Sequence, residues 1–190
     1  ADQQSREFRM LVTGDDDWTN YEVSVDLRML LTSGCAGVLF RYQNSRCYYS
    51  LCLDNGFVKL IKRNHTNIEV MASREYRYSP DEFHSLRVAC TGSRISCYVD
   101  SSLCFEVDDS TYASGRVGIA ATAPVQFARV CVTADATVYQ MICNERNRRK
   151  QMLAAEQARY PSPLLWKVID RKDFGAGRHI RFGHLRGTDE

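Results

Sequence analysis

Residues 21–29, YEVSVDLRM, alternate without a break. Tyr21, Val23, Val25, Leu27 and Met29 fall on one side; Glu22, Ser24, Asp26 and Arg28 fall on the other. Successive side chains of a strand point to opposite faces, so this pattern suits an antiparallel strand with one face buried. Further short runs follow at 36–42, 47–53, 57–63, 86–90, 94–99, 103–107, 116–121 and 125–132. Between them stand LTSG, LDNG, YSPDE, CTGS, VDSS and YASG, which supply the backbone freedom and local hydrogen bonds that turns need. Many short strands joined by turns predict an all-β sandwich or barrel. Neither GxGxxG nor GxxxxGK[ST] occurs, so a nucleotide-binding fold has no support.

Composition narrows the partners. With 44% hydrophobic and 25% charged residues the chain can build a core. A net charge of +2, with RNRRK at 146–150 as the one dense basic run, gives no case for nucleic acid. No run of 18 apolar residues is present, so no membrane span is expected, and no leader pattern opens the sequence. The eight cysteines, 35, 47, 52, 90, 97, 104, 131 and 143, form no CxxC pair, which argues against structural zinc. Several occupy apolar positions of strands, where a free thiol packs as a small hydrophobe. Reduced thiols point to a reducing compartment.

The segment FRYQNSRCYYSLCLDNGFVKL, 40–60, holds the most informative register. Asn55-Gly56 is a hairpin signal, because a type I′ turn needs positive φ at both central residues. It pairs Leu53 with Val58, Leu51 with Leu60 and Tyr48 with Arg63. A loop at 43–46 in the preceding hairpin pairs Phe40 with Tyr49, Val38 with Leu51 and Arg41 with Tyr48. Opposed residues share a face. One face then collects Ala36, Val38, Phe40, Tyr49, Leu51, Leu53, Val58 and Leu60, a core. The other collects Leu39, Arg41, Tyr48, Ser50, Cys52, Lys59, Ile61 and Arg63. On that second face Tyr48 is expected between Arg41 and Arg63, about 4.8 Å to either side. A phenol offers a flat apolar face, and guanidinium offers forked donors that match a carboxylate or vicinal hydroxyls. Such a set suits a sugar ring, and with Lys59 it favours an acidic one. The expected ligand-binding residues are Arg41, Tyr48, Lys59 and Arg63; the alternative is that the arginines only stack on Tyr48 and solvate the sheet.

ISCYVDSSLCFEV, 95–107, allows two registers. A two-residue loop sets Cys97 against Cys104 but opposes Ile95 and Val99 to polar residues. A three-residue loop, 100–102, instead gathers Ile95, Cys97, Val99, Leu103, Phe105 and Val107 on one face, which the hydrophobic match prefers, and no disulfide is then expected.

GDDDWTNYEVSVDLRML, AGVLFRYQNSRCYYSLCLDNGFVKLIKR and FHSLRVACTGSRISCYVDSSLCFEVDDSTYASGRVGIAATAPVQFARVCV together resemble the concanavalin A-like, laminin-G-like jelly-roll modules of polysaccharide-degrading enzymes. The resemblance covers roughly residues 8 to 133. It implies a two-sheet antiparallel jelly-roll sandwich, carbohydrate binding as the commonest role, and secretion, which conflicts with the cysteine usage. Ser101 stands where such modules often carry glycine. Some relatives hold a structural calcium, for which Asp15, Asp16 and Asp17 have hard oxygens. Three consecutive aspartates cannot all face one ion, so an acidic solvated loop is expected, with no metal or other cofactor assigned.

No catalytic residue is assigned either. Glycosidases place two carboxylates about 5–5.5 or 6.5–9.5 Å apart. Glu22 and Asp26 share one strand face at about 13 Å. Of the four histidines, His179 and His184 lie in the tail, His65 in a polar loop, and His84 reads as a strand-edge residue.

After Val132 the alternation stops. Val138, Met141, Ile142, Met152 and Leu153 recur at helical intervals, Asp135 can cap, and Pro161 ends the run, predicting one basic helix at about 136–159. The final FGHLRGTDE, 182–190, resembles the FGDLDGDG repeat of rhamnogalacturonan-lyase-like β-propellers, with His184 and Arg186 where the repeat usually has calcium-binding aspartates. The expected organisation is a sandwich at 1–134, a connecting helix at 135–160, and a linker with the start of a following domain at 161–190. The expected function is a non-catalytic carbohydrate-binding module of a polysaccharide-degrading protein, its partners a polysaccharide or oligosaccharide and that following domain. The alternative is a structural domain that positions the propeller.

Overall fold

The computed structural model describes residues 8–80 and 82–160. The predicted tail repeat and following domain lie outside them. The strands, in chain order, are β1 Arg9–Thr13, β2 Tyr21–Met29, β3 Cys35–Asn44, β4 Cys47–Asp54, β5 Phe57–Asn64, β6 Asn67–Glu75, β7 His84–Thr91, β8 Arg94–Val99, β9 Ser102–Asp108, β10 Arg116–Ala121 and β11 Val125–Thr133. One helix follows, α1 Ala136–Gln157. A six-stranded sheet runs β1-β10-β3-β4-β5-β6, and a five-stranded sheet runs β11-β2-β7-β8-β9. All neighbours are antiparallel. This is the two-sheet jelly-roll sandwich with a C-terminal helix that the alternation and the resemblance predict.

The core lies between the sheets and uses the predicted phase. Val23, Val25, Leu27 and Met29 of β2 meet Ala36, Val38, Phe40, Tyr49, Leu51, Leu53, Val58 and Leu60 of the other sheet, and all of these are fully buried. The pairs Leu53–Val58, Leu51–Leu60, Tyr48–Arg63, Phe40–Tyr49 and Val38–Leu51 are those expected.

Two strands escape the sequence reading. β1 is a short edge strand, and β6 has its alternation broken by a register shift against β5. Two loops are also shorter than expected. The β3–β4 turn is Ser45-Arg46, closing on Asn44–Cys47, and the surplus residues sit in a bulge after Phe40. The β8–β9 turn is Asp100-Ser101, closing on Val99–Ser102. A bulge between the Cys97 and Tyr98 pairs then restores Cys97–Phe105 and Ile95–Val107 and leaves Leu103 exposed. Cys97 thus does not oppose Cys104, and all eight thiols are free.

The chain divides into two compact units, 1–148 and 149–190, with the boundary inside α1. None of the helix's residues is buried. Within the first unit Arg146 pairs with Asp15 at 2.5 Å, and Arg116 pairs with Asp16 at 2.9 Å.

Candidate functional site

The face of the six-stranded sheet turned away from the core carries the predicted site, and the bulge in β3 rearranges it. Three steps along β3, from Leu39 to Tyr42, match two along β10, from Gly118 to Arg116. The additional residue inverts the parity beyond Phe40. Arg41 takes positive φ, 46°, and its side chain goes inward instead of outward. It is fully buried. Its backbone N–H donates to Tyr21 Oη at 2.8 Å, Nη1 donates to the Tyr112 carbonyl at 3.0 Å, and Nη2 donates to the Gly92 carbonyl. Arg41 therefore ties loops together at one end of the sandwich and is withdrawn from the ligand set. Gly115 makes the bulge possible: a Cβ there would sit 2.6 Å from the Arg41 carbonyl carbon.

The same inversion brings Tyr42 onto the outer face. Its ring stacks on Tyr48, with centroids 6.0 Å apart and planes 18° from parallel. Tyr49 lies in the core, and Tyr48 lies on the opposite face, as the phasing requires. Tyr48 is nevertheless only 4% exposed, because Tyr42, Leu39, Ala120 and the β1 side chains Met10 and Val12 surround it. The open member of the tyrosine pair is half-buried Tyr42, which the sequence reading missed. The local trace is Asn44, whose Oδ1 accepts from the Arg46 N–H at 2.8 Å in an Asx turn; it favours a turn at 45–46 but says nothing of the bulge that brings Tyr42 outward.

Arg63 stands opposite Tyr48 in register, and its Nε donates to the His65 carbonyl at 3.3 Å. Burial pushes the Tyr48 phenol up, and Arg63 partly offsets the rise. Lys59 lies four residues away on β5, about 13 Å along the strand, opposite Cys52. It pairs with Asp54 at 2.6 Å, a bond that raises the ammonium above its usual range. Asp54 also accepts from Asn55 Nδ2 at 2.7 Å. Beside them the Cys35 thiol is raised, first by its hydrogen bond with Cys52 and then by burial. The face thus brings Tyr48 and Arg63 together, adds Tyr42, holds Lys59 at the far end, and excludes Arg41.

Two further polar groups sit at the sandwich ends. Asp109, just after β9, accepts from Tyr49 Oη, from Lys62 Nζ at 2.7 Å and from the Thr111 N–H at 2.8 Å. Burial alone raises this carboxyl, but the bonds from Lys62, Tyr49 and Thr111 outweigh it and hold the group well below the usual range. Burial and the bond to Asp109 push Tyr49 up to about 12. At the start of β7 His84 is buried, with Nδ1 2.9 Å from Asp100 Oδ2 and 2.8 Å from Tyr76 Oη. The Tyr76 hydroxyl donates to the same carboxylate oxygen. Asp100 in turn accepts from the Ser85 N–H at 2.8 Å. This cluster anchors the β8–β9 turn, where Asp100 and Ser101 both have positive φ.

The fold has solved counterparts. The carbohydrate binding module CBM66 from Bacillus subtilis superposes with a TM-score of 0.61 at 18% identity, over 69% of this chain and 84% of that one. The Caenorhabditis elegans galectin LEC-6 gives 0.54 at 10% identity, over 66% and 90%. CG-16, a homodimeric agglutinin from chicken liver, gives 0.52 at 9% identity, over 67% and 100%. No curated protein matches in sequence. Residues 1–133 match the sequence model of a family described as 3-keto-alpha-glucoside-1,2-lyase-like domain.

Proposed function

We propose, from the premise that this chain belongs to the 3-keto-alpha-glucoside-1,2-lyase-like domain family, that it binds carbohydrate on the outer face of the six-stranded sheet. The observation that carries this reading is the Tyr42–Tyr48 stack with Arg63 at its edge. The half-open Tyr42 ring offers an apolar surface to the C–H groups of a sugar, with Tyr48 as its rigid backing. Arg63 supplies directional donors, and Lys59 a second cation further along the strand. Two cations on one face favour a sugar carrying a carboxylate. The carbohydrate binding module CBM66, which shares the fold, supports the reading by analogy of fold. In a longer polypeptide the face would hold polysaccharide close to a catalytic partner, such as the propeller that the tail resembles, and raise its local concentration.

The role is binding without catalysis. Asp54, the carboxylate on this face nearest the cations, is tied to Lys59 and Asn55. The family description favours a second reading, cleavage of a 3-keto-α-glucoside. Isothermal titration with neutral gluco-oligosaccharides and with uronate oligosaccharides separates the two. Binding that Tyr42→Ala weakens about tenfold or more, with no sugar released from a 3-keto-α-glucoside, is the expected result. Release of sugar would support the lyase reading. No heat with any glycan would remove the proposal.

A further inference from the structure

The six-stranded sheet ends on β6, whose Ile68 and Val70 are 60% and 53% exposed. Its turn, His65-Thr66, closes on Asn64–Asn67. In a two-residue hairpin the closing pair exchanges both backbone bonds, and alternation then directs the peptide groups of Ile68 and Val70 to the free edge. Beyond Val70, β6 contains one residue more than β5, since Ile61 opposes Val70 while Leu60 opposes Ala72. This bulge shifts the parity, so Ser73 and Glu75 carry the outward groups from there on. Their side chains share the outer face with Ile68 and Val70, opposite Lys59, Phe57, Arg63 and Ile61. Glu69, Ala72 and Arg74 point to the other face, opposite Lys62, Leu60 and Val58.

The strand is therefore complementary to itself. A two-fold axis between Met71 and Ala72, normal to the sheet, sets Val70 against Ser73, Ile68 against Glu75, and Glu69 against Arg74 of the second copy. Every pair shares a face, and outward peptide groups meet outward peptide groups. Glu69 meets Arg74 twice, once on each side of the axis. Without the bulge this register would oppose residues of opposite faces. Glu69 pairs with Lys62 at 3.0 Å yet its side chain stays 49% exposed, so it can take a second cation, and Arg74 makes no ion pair among the described residues. We propose that two copies of this chain associate through antiparallel pairing of their β6 edges, in the register that sets Glu69 against Arg74, forming one continuous sheet. The association is isologous and closes as a dimer. It also covers an otherwise open edge.

Sedimentation equilibrium of the 190-residue protein tests this. A concentration-dependent dimer is expected. Glu69→Arg and Arg74→Glu should each weaken it by about tenfold or more, because each sets like charges together twice. The double variant, with both charges exchanged, should return to near the original affinity. Val70→Pro removes an outward N–H that the monomer does not use, and should dissociate the dimer while circular dichroism and thermal unfolding remain those of a folded sandwich. A monomer at every concentration overturns the proposal. So does a dimer indifferent to these changes, or a double variant no better than the singles.

Discussion

Arg41 shows how much one backbone angle decides. The same side chain facing outward would be a sugar donor; with φ at 46° it is a buried cation spanning two carbonyls. Its charge is met by the carbonyl dipoles of Tyr112 and Gly92, while its backbone N–H separately donates to Tyr21, a role no spacing in the sequence announces. Asp109 is the comparable acidic case. Its folded pKa lies below the usual unfolded value of about 3.9. A depressed carboxylate contributes stability that is complete above the unfolded value and is lost as pH falls through the folded one. Asp109→Asn should therefore cost about 2–3 kcal/mol at pH 7, since it leaves the part-buried Lys62 with Glu69 alone. In urea melts the gap between wild type and variant should hold from neutrality down to about pH 5, begin to narrow below about pH 4, and vanish only as pH falls through the folded value. A gap that fails to narrow at all below about pH 4 would refute the assignment.

At the scale of the elements, one kind of error recurs with one cause. Hydrophobic matching placed Phe40 on Tyr49 and Cys97 on Phe105, and both pairs are observed. It could not say where the surplus residue goes, because a longer loop and a short turn with a bulge satisfy the same core pairs. The structure uses the bulge both times. In β8–β9 the consequence is small, an exposed Leu103; in β3 it exchanges Arg41 for Tyr42 on the outer face. The β3 bulge depends on Gly115, whose φ of 140° and contact with Arg41 leave no room for a side chain. Gly115→Ala should destabilise by about 2–4 kcal/mol, from backbone strain together with the clash. A thermal shift within error of wild type would show that the loop accommodates a methyl group and that the close approach is not required. If the bulge relaxes instead, Tyr42 loses its seat on Tyr48, and glycan binding should fall with stability.

The molecule's sandwich buries five of the eight thiols, and its outer sheet face and β6 edge remain for partners. Cys52, Cys90 and Cys97 are almost fully buried, whereas Cys131 is exposed. Burial pushes Cys90 up to about 11, so that thiol is protonated as well as shielded. Titration with a thiol reagent should show Cys131 reacting at once and these three reacting only with denaturant. Their fast reaction in the native protein would contradict the packing. If the sheets also join through β6, two sugar-binding faces lie side by side, and a polymeric ligand is held at both. The sequence by itself determined the class of fold, the phase of the core strands, the Asn55-Gly56 turn and the helix. Each of these follows from local periodicity, because one face of every strand must leave water. Only the tertiary structure decided which residues stand on the outer face beyond Phe40, that Tyr48 is covered, and that Asp109 and His84 anchor the ends. Those outcomes depend on a bulge accommodated by a glycine about 75 residues away and on contacts between distant strands, and no local pattern encodes them.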